Sequence, residues 1–296
     1  MTMALSVSDV GGLEVETAAA RRPAARARRF IRRQPTFVVG LVVLLLILAS
    51  GVLAPLWWTG DPQQMRPVQR LQPPSSARWF GSDHFGRDVY TRTLYGARVS
   101  LMVGAAVAVL SLTLGTTLGL VIGFYRGLDA VMMRVMDGLM AIPAILLALA
   151  LMAMLRGSVR NVVIALVIPE IPRVIRLVRA SVLSLREHTM VEAARALGVR
   201  TPRILLRYVL PALVAPLIVQ ATYICASAIL FEAYLSFLGA GTPPHIPSWG
   251  NIMAEGKTYV QLAFWIILFP GLFLALTVLA INLVGDGLRD LLNVRG

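Results

Sequence analysis

Residues 190–211 read MVEAARALGVRTPRILLRYVLP, a polar and basic stretch that lies between long apolar segments. From Glu192 onward the residues are strong helix formers, and Gly198 follows at a position where a left-handed residue ends a helix. Thr201 is predicted to cap a second short helix, with Pro202 as its first residue. The stretch therefore predicts two short helices and a turn, exposed to water in an otherwise apolar protein.

The first of these helices has a surface of unusually small side chains. Ala193, Ala194 and Ala196 leave little bulk, so the helix can lie close inside a groove of another protein. Glu192 and Arg195 are three residues apart and share a face, where they can pair with each other or with that partner. An amphipathic connector between membrane helices is the other interpretation of the same residues.

Composition places the chain among membrane proteins. Its 296 residues are 57% hydrophobic and 15% charged, with a mean hydropathy of +0.74. The formal charge of +13 comes almost wholly from arginine, since Lys257 is the only lysine. In so apolar a chain this excess indicates membrane topology rather than nucleic acid binding. Cys225 is alone and the three histidines are scattered, so neither an intrachain disulfide nor a metal site is expected.

Six apolar runs predict six transmembrane helices, at 36–56, 99–124, 135–155, 161–179, 211–237 and 262–284. A basic arm at 1–35 precedes them, a loop at 57–98 follows the first, and a tail at 286–296 ends the chain. The first run is interpreted as an uncleaved helix, because the arm is long and the run can span the membrane. The proposed cytoplasmic segments hold 19 basic residues and the outer segments nine, which places both termini in the cytoplasm.

Several residues within these runs carry specific expectations. Glycines at 115, 119 and 123 predict a close helix contact, and Pro143 is expected to kink the third run. In the weakly apolar fourth run, Glu170 is expected to neutralise a neighbouring arginine rather than line a polar cavity. Glu232, near the outer end of the fifth run, indicates a pathway or subunit contact, or else a side chain that reaches the membrane interface or hydrogen-bonds a neighbouring helix.

The loop before the second run contains WFGSDHFGRDV at residues 79–89. Asp83, His84 and Asp88 are candidate acid–base groups of a membrane enzyme, but no nucleophile stands at a suitable spacing. Its glycines predict turns, and Asp83, Arg87 and Asp88 are expected to pair locally. The structural interpretation therefore accounts for this loop better than the enzymatic one.

Four sequence patterns together resemble a known family. Glu192-Ala193-Ala194, Gly198 and Leu210-Pro211 are similar to the cytoplasmic loop of ABC importer permeases, with Tyr208 where that family usually has Ile. GSDHFGRDV at 81–89, YGARVSL at 95–101 and PSWGN at 247–251 resemble dipeptide and oligopeptide permeases. The resemblance implies an all-α polytopic membrane protein of six transmembrane helices. Its MetI-like permease core would span 99–285, with a coupling loop at about 186–208.

The resemblance also implies a function. The chain would be a permease subunit of an ATP-driven importer for di- and oligopeptides, or related solutes such as nickel chelates, in a bacterial inner membrane. Its partners would be a second permease, two ATP-binding subunits and an extracytoplasmic solute-binding protein. ATP would be bound by those subunits, because the chain lacks a Gly-xxxx-Gly-Lys-Ser/Thr sequence, and no cofactor or enzymatic activity is expected. An ATP-independent secondary transporter or channel is the alternative.

Specific site residues follow from the carboxylates inside the apolar runs and, for the coupling loop, from the same resemblance. Glu170 and Glu232 are the candidates for a pathway or subunit contact. The residues expected to couple the chain to the ATPase subunits are Glu192, Ala193, Ala194, Arg195, Gly198 and Pro211.

Overall fold

The computed structural model describes residues 34–56 and 60–293, so the predicted basic arm lies almost wholly outside the described part. The described residues are mostly helical and form no named strand, which confirms the predicted all-α class. The helices are α1 Pro35–Leu53, α2 Val89–Phe124, α3 Arg126–Ala141, α4 Ala144–Met154, α5 Val159–Leu185, α6 Thr189–Ala196, α7 Thr201–Phe237, α8 Trp249–Gly256 and α9 Trp265–Asn293.

The long helices connect two opposite ends of a bundle, named here the α6 end and the α8 end after the short helices that lie there. The first and last long helices run antiparallel, because Gln34 Nε2 donates to Asp290 Oδ2 at 2.8 Å, while Gly40, farther along the first helix, lies against Ala280, farther back along the last one. Helices α2 and α5 run parallel to each other and form the most extensive contact in the bundle.

Among the described residues, four helices are long and apolar enough to cross a membrane: α1, α2, α7 and α9. The pair α3 and α4 gives a fifth crossing if it is counted as one bent span. Helix α5 joins the same two ends, but its glutamate and arginines lower its mean hydropathy, as expected for the fourth predicted run. Counting α5 brings the number of passes to the predicted six.

The glycine spacing of α2 determines how closely it approaches α5. A Cβ atom built on each of three glycines would lie only 2.5, 2.8 and 2.9 Å from a valine Cβ on α5. The three pairs are Gly115 with Val174, Gly119 with Val178, and Gly123 with Val182. Any larger side chain at these glycines would push the helices apart, which confirms the predicted close contact.

The third predicted run is not a single kinked helix. Residues 126–141 form α3, and α4 begins at Ala144 after a bend of 88°. Pro143 has no N–H to donate and restricts the preceding Ile142, which is extended at φ −87° and ψ 126°. The interval at 125–134, which the predicted runs left as a connection between two spans, is therefore wrong as a turn, because it is part of an amphipathic helix held to α5 by ion pairs. In these, Asp129 pairs with Arg179 and Asp137 with Arg176.

Helix α2 begins at Val89, so the predicted loop at 57–98 and the predicted start at 99 were wrong at this boundary. Asp88 caps the helix, because its Oδ2 accepts hydrogen bonds from the N–H of Thr91 at 2.8 Å and from Thr91 Oγ1 at 2.6 Å. The first turns of α2 carry polar side chains such as Arg92. Hydropathy therefore marked only the apolar part of the helix.

Helix boundaries near the α6 end also differ from those expected. Arg200, not Thr201, is the residue before the helix, and no side-chain hydrogen bond caps it. Helix α7 then continues without interruption to Phe237, so 201–210 is not a separate short helix. The predicted tail at 286–296 is helical as far as Asn293, and the remaining three residues lie outside the described part.

Candidate functional site

Helix α6 ends as its sequence predicts. Gly198 has φ +74°, its N–H donates to the carbonyl of Arg195 at 2.9 Å, and the N–H of Val199 donates to the carbonyl of Ala194 at 3.0 Å. This pair of hydrogen bonds is the Schellman arrangement, which requires a left-handed residue after the helix. Gly198 therefore sets the direction in which the chain leaves α6 toward α7.

The two faces of α6 have different environments. Val191 and Ala194 are 2% and 5% exposed and belong to the main core cluster. Met190 and Leu197 are 56% and 84% exposed, and Ala193 is exposed between them. The predicted coupling residues therefore lie on two different faces of α6: Ala194 faces the bundle, whereas Ala193 faces away from it. Met190 and Leu197 were missed, although two apolar residues seven apart on a polar helix were a usable signal.

The charged residues of α6 do not pair with each other. The guanidinium carbon of Arg195 lies 4.8 Å from the centre of the Phe124 ring, at the end of α2. Glu192 is exposed and forms no ion pair with any described residue. Arg195 therefore ties α6 to α2, and Glu192 remains available at the surface.

Pro211 lies just after a distorted turn of α7. Residues Leu205–Val209 form a π-helical turn in which the N–H of Leu210 donates to the carbonyl of Leu205. Pro211 has no N–H to donate to the carbonyl of Arg207, so the wider turn occurs where an α-helical bond is missing. Leu205 and Val209 are buried in the same core cluster as Val191 and Ala194, so α6 and the start of α7 share one contact surface.

At the α8 end, the loop before α2 is held by a buried ion cluster of Asp83, Arg87, Arg92 and Glu255. Arg87 Nε and Arg92 Nη1 each lie 2.6 Å from Asp83 Oδ2, and Arg92 Nη1 also lies 2.6 Å from Glu255 Oε2. Arg87 Nη2 completes the cluster by pairing with the same Glu255 oxygen. The predicted pair of Asp83 and Arg87 is therefore confirmed. The contribution of Arg92 and Glu255 to this cluster was not predicted, because Glu255 lies on α8, far from the loop in the sequence.

This cluster does not have the properties of an acid–base or metal site. Burial opposes ionisation of Asp83, but the Arg92 and Arg87 guanidinium groups outweigh it and lower the pKa of that carboxyl. Burial lowers the pKa of His84, whose ring stacks on Tyr259. Ligand atoms of Asp83, His84 and Glu255 lie within 4.8 Å of one another. The two guanidinium groups already neutralise both carboxylates, so this group offers little attraction to a cation.

The two intramembrane carboxylates have partners within the chain. Glu232 is fully buried; its oxygens accept from Ser236 Oγ at 2.8 Å and from Ser100 Oγ of α2 at 3.3 Å. This arrangement favours the expected hydrogen bond to a neighbouring helix. Glu170 accepts from Arg173 Nη1 at 3.0 Å, which confirms the expected neutralisation by a neighbouring arginine.

Two family models match the chain. Residues 111–295 match the binding-protein-dependent transport system inner membrane component, and residues 22–74 match the N-terminal TM domain of oligopeptide transport permease C. Together they cover α1 and the helices from the second half of α2 onward.

Relatives cover the chain almost end to end. A putative peptide transport system permease protein of Brucella suis is 51% identical, covering 91% of this chain and 90% of its own length. A dipeptide transport system permease protein of Alkalihalophilus pseudofirmus is 42% identical, covering 92% and 90%.

A solved structure shows the same fold. The inward-facing MetNI methionine ABC transporter contains a chain that aligns with a TM-score of 0.55 at 18% identity, covering 67% of this chain and 94% of that one. The chain therefore belongs to the family of binding-protein-dependent transport system inner membrane components, and within it to the permeases of peptide ABC transporters.

Proposed function

We propose that this chain is one of two permease subunits of an ATP-driven importer that takes peptides or related solutes into a bacterial cell. The second permease completes the translocation path, and two ATP-binding subunits dock at the α6 end. An extracytoplasmic solute-binding protein delivers the solute at the α8 end. Both termini lie in the cytoplasm, which agrees with the excess of basic residues in the α6-end segments.

The main support for ATPase docking comes from the exposed face of α6. Leu197 is 84% exposed and Met190 is 56% exposed, on a polar helix that packs against the bundle only through its other face. Exposed apolar side chains on a short helix are suited to a hydrophobic groove of a partner. The small Ala193 between them allows close approach, and Glu192 adds a charge at the rim of this surface.

Motion of α6 has a direct route into the long helices. Val191 and Ala194 pack in the core cluster that contains residues of α2, α5 and α7, and Arg195 lies over Phe124 at the end of α2. Packed interiors transmit displacement because they have few voids. A force applied to the outer face of α6 therefore reaches three of the long helices at once.

The α8 end has the features of a rigid receiving surface for the binding protein. The ion cluster fixes the loop before α2 against α8, and Trp249 of α8 donates from Nε1 to the carbonyl of Thr93 at 3.0 Å. Apolar side chains remain exposed around it, among them Val68 at 94%, Trp79 at 64% and Leu262 at 71%.

Copurification tests the assignment of α6. Replacing Leu197 with Asp places a charge in the centre of the proposed contact, so we expect recovery of the ATP-binding subunits with the tagged permease to fall by roughly tenfold or more. Glu192→Lys is expected to have a smaller effect, because exposed ion pairs contribute only about 0–1 kcal/mol.

A matched variant separates docking from general damage. Val260→Asp makes the same kind of change at a 47% exposed residue of the α8 end, and we expect it to leave ATPase recovery unchanged. Equal recovery with Leu197→Asp and the unaltered chain would contradict docking through α6. Solute uptake that persists without any ATP-binding subunit would instead support a secondary transporter or channel.

A further inference from the structure

Two buried polar atoms in the contact between α2 and α5 have no hydrogen-bond partner among the described residues. These atoms are Ser111 Oγ and Glu170 Oε2, and their residues are 0% and 2% exposed. Leaving such groups unpaired in a buried site is unfavourable, because their hydrogen bonds to water are lost on folding and not replaced. Each of these two atoms is therefore expected to have a hydrogen-bond partner in the folded protein.

The register of the two helices places these two residues at facing positions. Each of the three glycine–valine contacts between α2 and α5 joins residues 59 positions apart, and Ser111 and Glu170 are also 59 positions apart. They lie one four-residue step before the first of those contacts. Because residues four apart stack on one helical face, position 111 of α2 faces position 170 of α5.

Two threonines of α2 satisfy their hydroxyl groups in a way that Ser111 does not. Thr93 Oγ1 donates to the carbonyl of Val89 at 2.7 Å, and Thr117 Oγ1 donates to that of Thr113 at 2.7 Å. Such bonds to the preceding turn are the usual solution for a hydroxyl inside a helix. The Ser111 hydroxyl instead remains free to bind a group that lies between the helices.

Two prolines of α5 remove helical donors close to Glu170. Pro169 and Pro172 have no N–H, so the carbonyls of Ala165 and Ile168 lose their helical donors. In lipid no bulk water is present to satisfy such groups. The turn around Glu170 therefore has two carbonyls without their usual helical donors, and its donor Arg173 is directed at the other Glu170 oxygen.

We propose that Ser111 and Glu170 together bind one water molecule inside the contact between α2 and α5. The water donates one hydrogen to Glu170 Oε2 and the other to a carbonyl that a proline leaves unpaired, and it accepts from the Ser111 hydroxyl. Three hydrogen bonds are typical of a buried water. A neutral ligand fits better than a cation, because Arg173 already neutralises Glu170 at 3.0 Å.

A double-mutant cycle on the assembled transporter tests whether the two residues share a ligand. We expect Ser111→Ala and Glu170→Gln each to lower the midpoint of thermal unfolding, and the double variant to fall by clearly less than the sum. Ser181→Ala is the matched control, since that hydroxyl donates to the carbonyl of Leu177 in its own helix at 3.1 Å. Its effect is expected to add to that of Glu170→Gln, whereas additive shifts for Ser111 and Glu170 would overturn the proposal.

A space-filling variant distinguishes a bound water from a direct bond between the two residues. Asn at position 111 adds a donor and about the volume of one water molecule. We expect Ser111→Asn to unfold at a higher temperature than Ser111→Ala, because its amide replaces the water. A lower midpoint for Ser111→Asn would show that the space is too small and would overturn the proposal. A structure at water-resolving resolution provides a second test: density within about 3.2 Å of both oxygens is expected, and its absence would contradict the site.

Discussion

Gly198→Pro is expected to lower the rate of solute uptake by the reconstituted transporter at least about tenfold, while the chain still inserts into the membrane. Gly198 has φ +74°, whereas proline is restricted to about −65°. The substitution also removes the hydrogen bond to the carbonyl of Arg195. The chain therefore leaves α6 in another direction, and α6 loses its position against the core. The measurements are uptake into vesicles and ATP hydrolysis with and without solute.

Gly198→Asn and Gly198→Ala are the controls for this variant. A Cβ atom built at Gly198 meets nothing within 4 Å, so a side chain causes no steric clash there. Asn tolerates the left-handed conformation. Ala in that conformation lowers the stability of the folded protein by only about 1–2 kcal/mol relative to Gly. We expect both to retain most of the uptake. Normal uptake by Gly198→Pro would refute the role of α6 in coupling.

Arg92→Met is expected to cause the largest loss of stability of any single substitution at the α8 end. Arg92 is 2% exposed and contacts Asp83 and Glu255. Removing it leaves Arg87 as the only cation for two carboxylates. Breaking a buried ion pair in this way costs about 3–5 kcal/mol. For a chain of this size that corresponds to a fall of roughly 5–8 °C in the unfolding midpoint, which differential scanning fluorimetry in detergent would measure.

The chain contains a matched pair for this test at the α6 end. Arg176 contacts Asp137 at 2.7 Å, but the two side chains are 50% and 59% exposed. Arg176→Met removes the same charge from a solvated pair, so we expect a loss of less than about 1 kcal/mol. Similar midpoints for Arg92→Met and Arg176→Met would contradict the structural role of the buried cluster.

Sequence patterns predicted those features whose physical cause lies within a few residues along the chain. The left-handed cap at Gly198 follows from the need for positive φ after a helix. The ion pair of Glu170 with Arg173 joins residues three apart on one helix face. By contrast, the start of α2 at Val89 was missed, because its first turns are polar and hydropathy does not detect them.

The sequence by itself determined that this is a helical membrane protein with a water-exposed helical segment between spans, because apolar content and capping residues act locally. Only the tertiary structure decided which face of that segment is free. It buries Ala194, exposes Leu197 and places Arg195 over Phe124. It also brings Glu255 to Asp83, from a different helix. These outcomes depend on contacts between residues far apart in the chain, which no local spacing specifies.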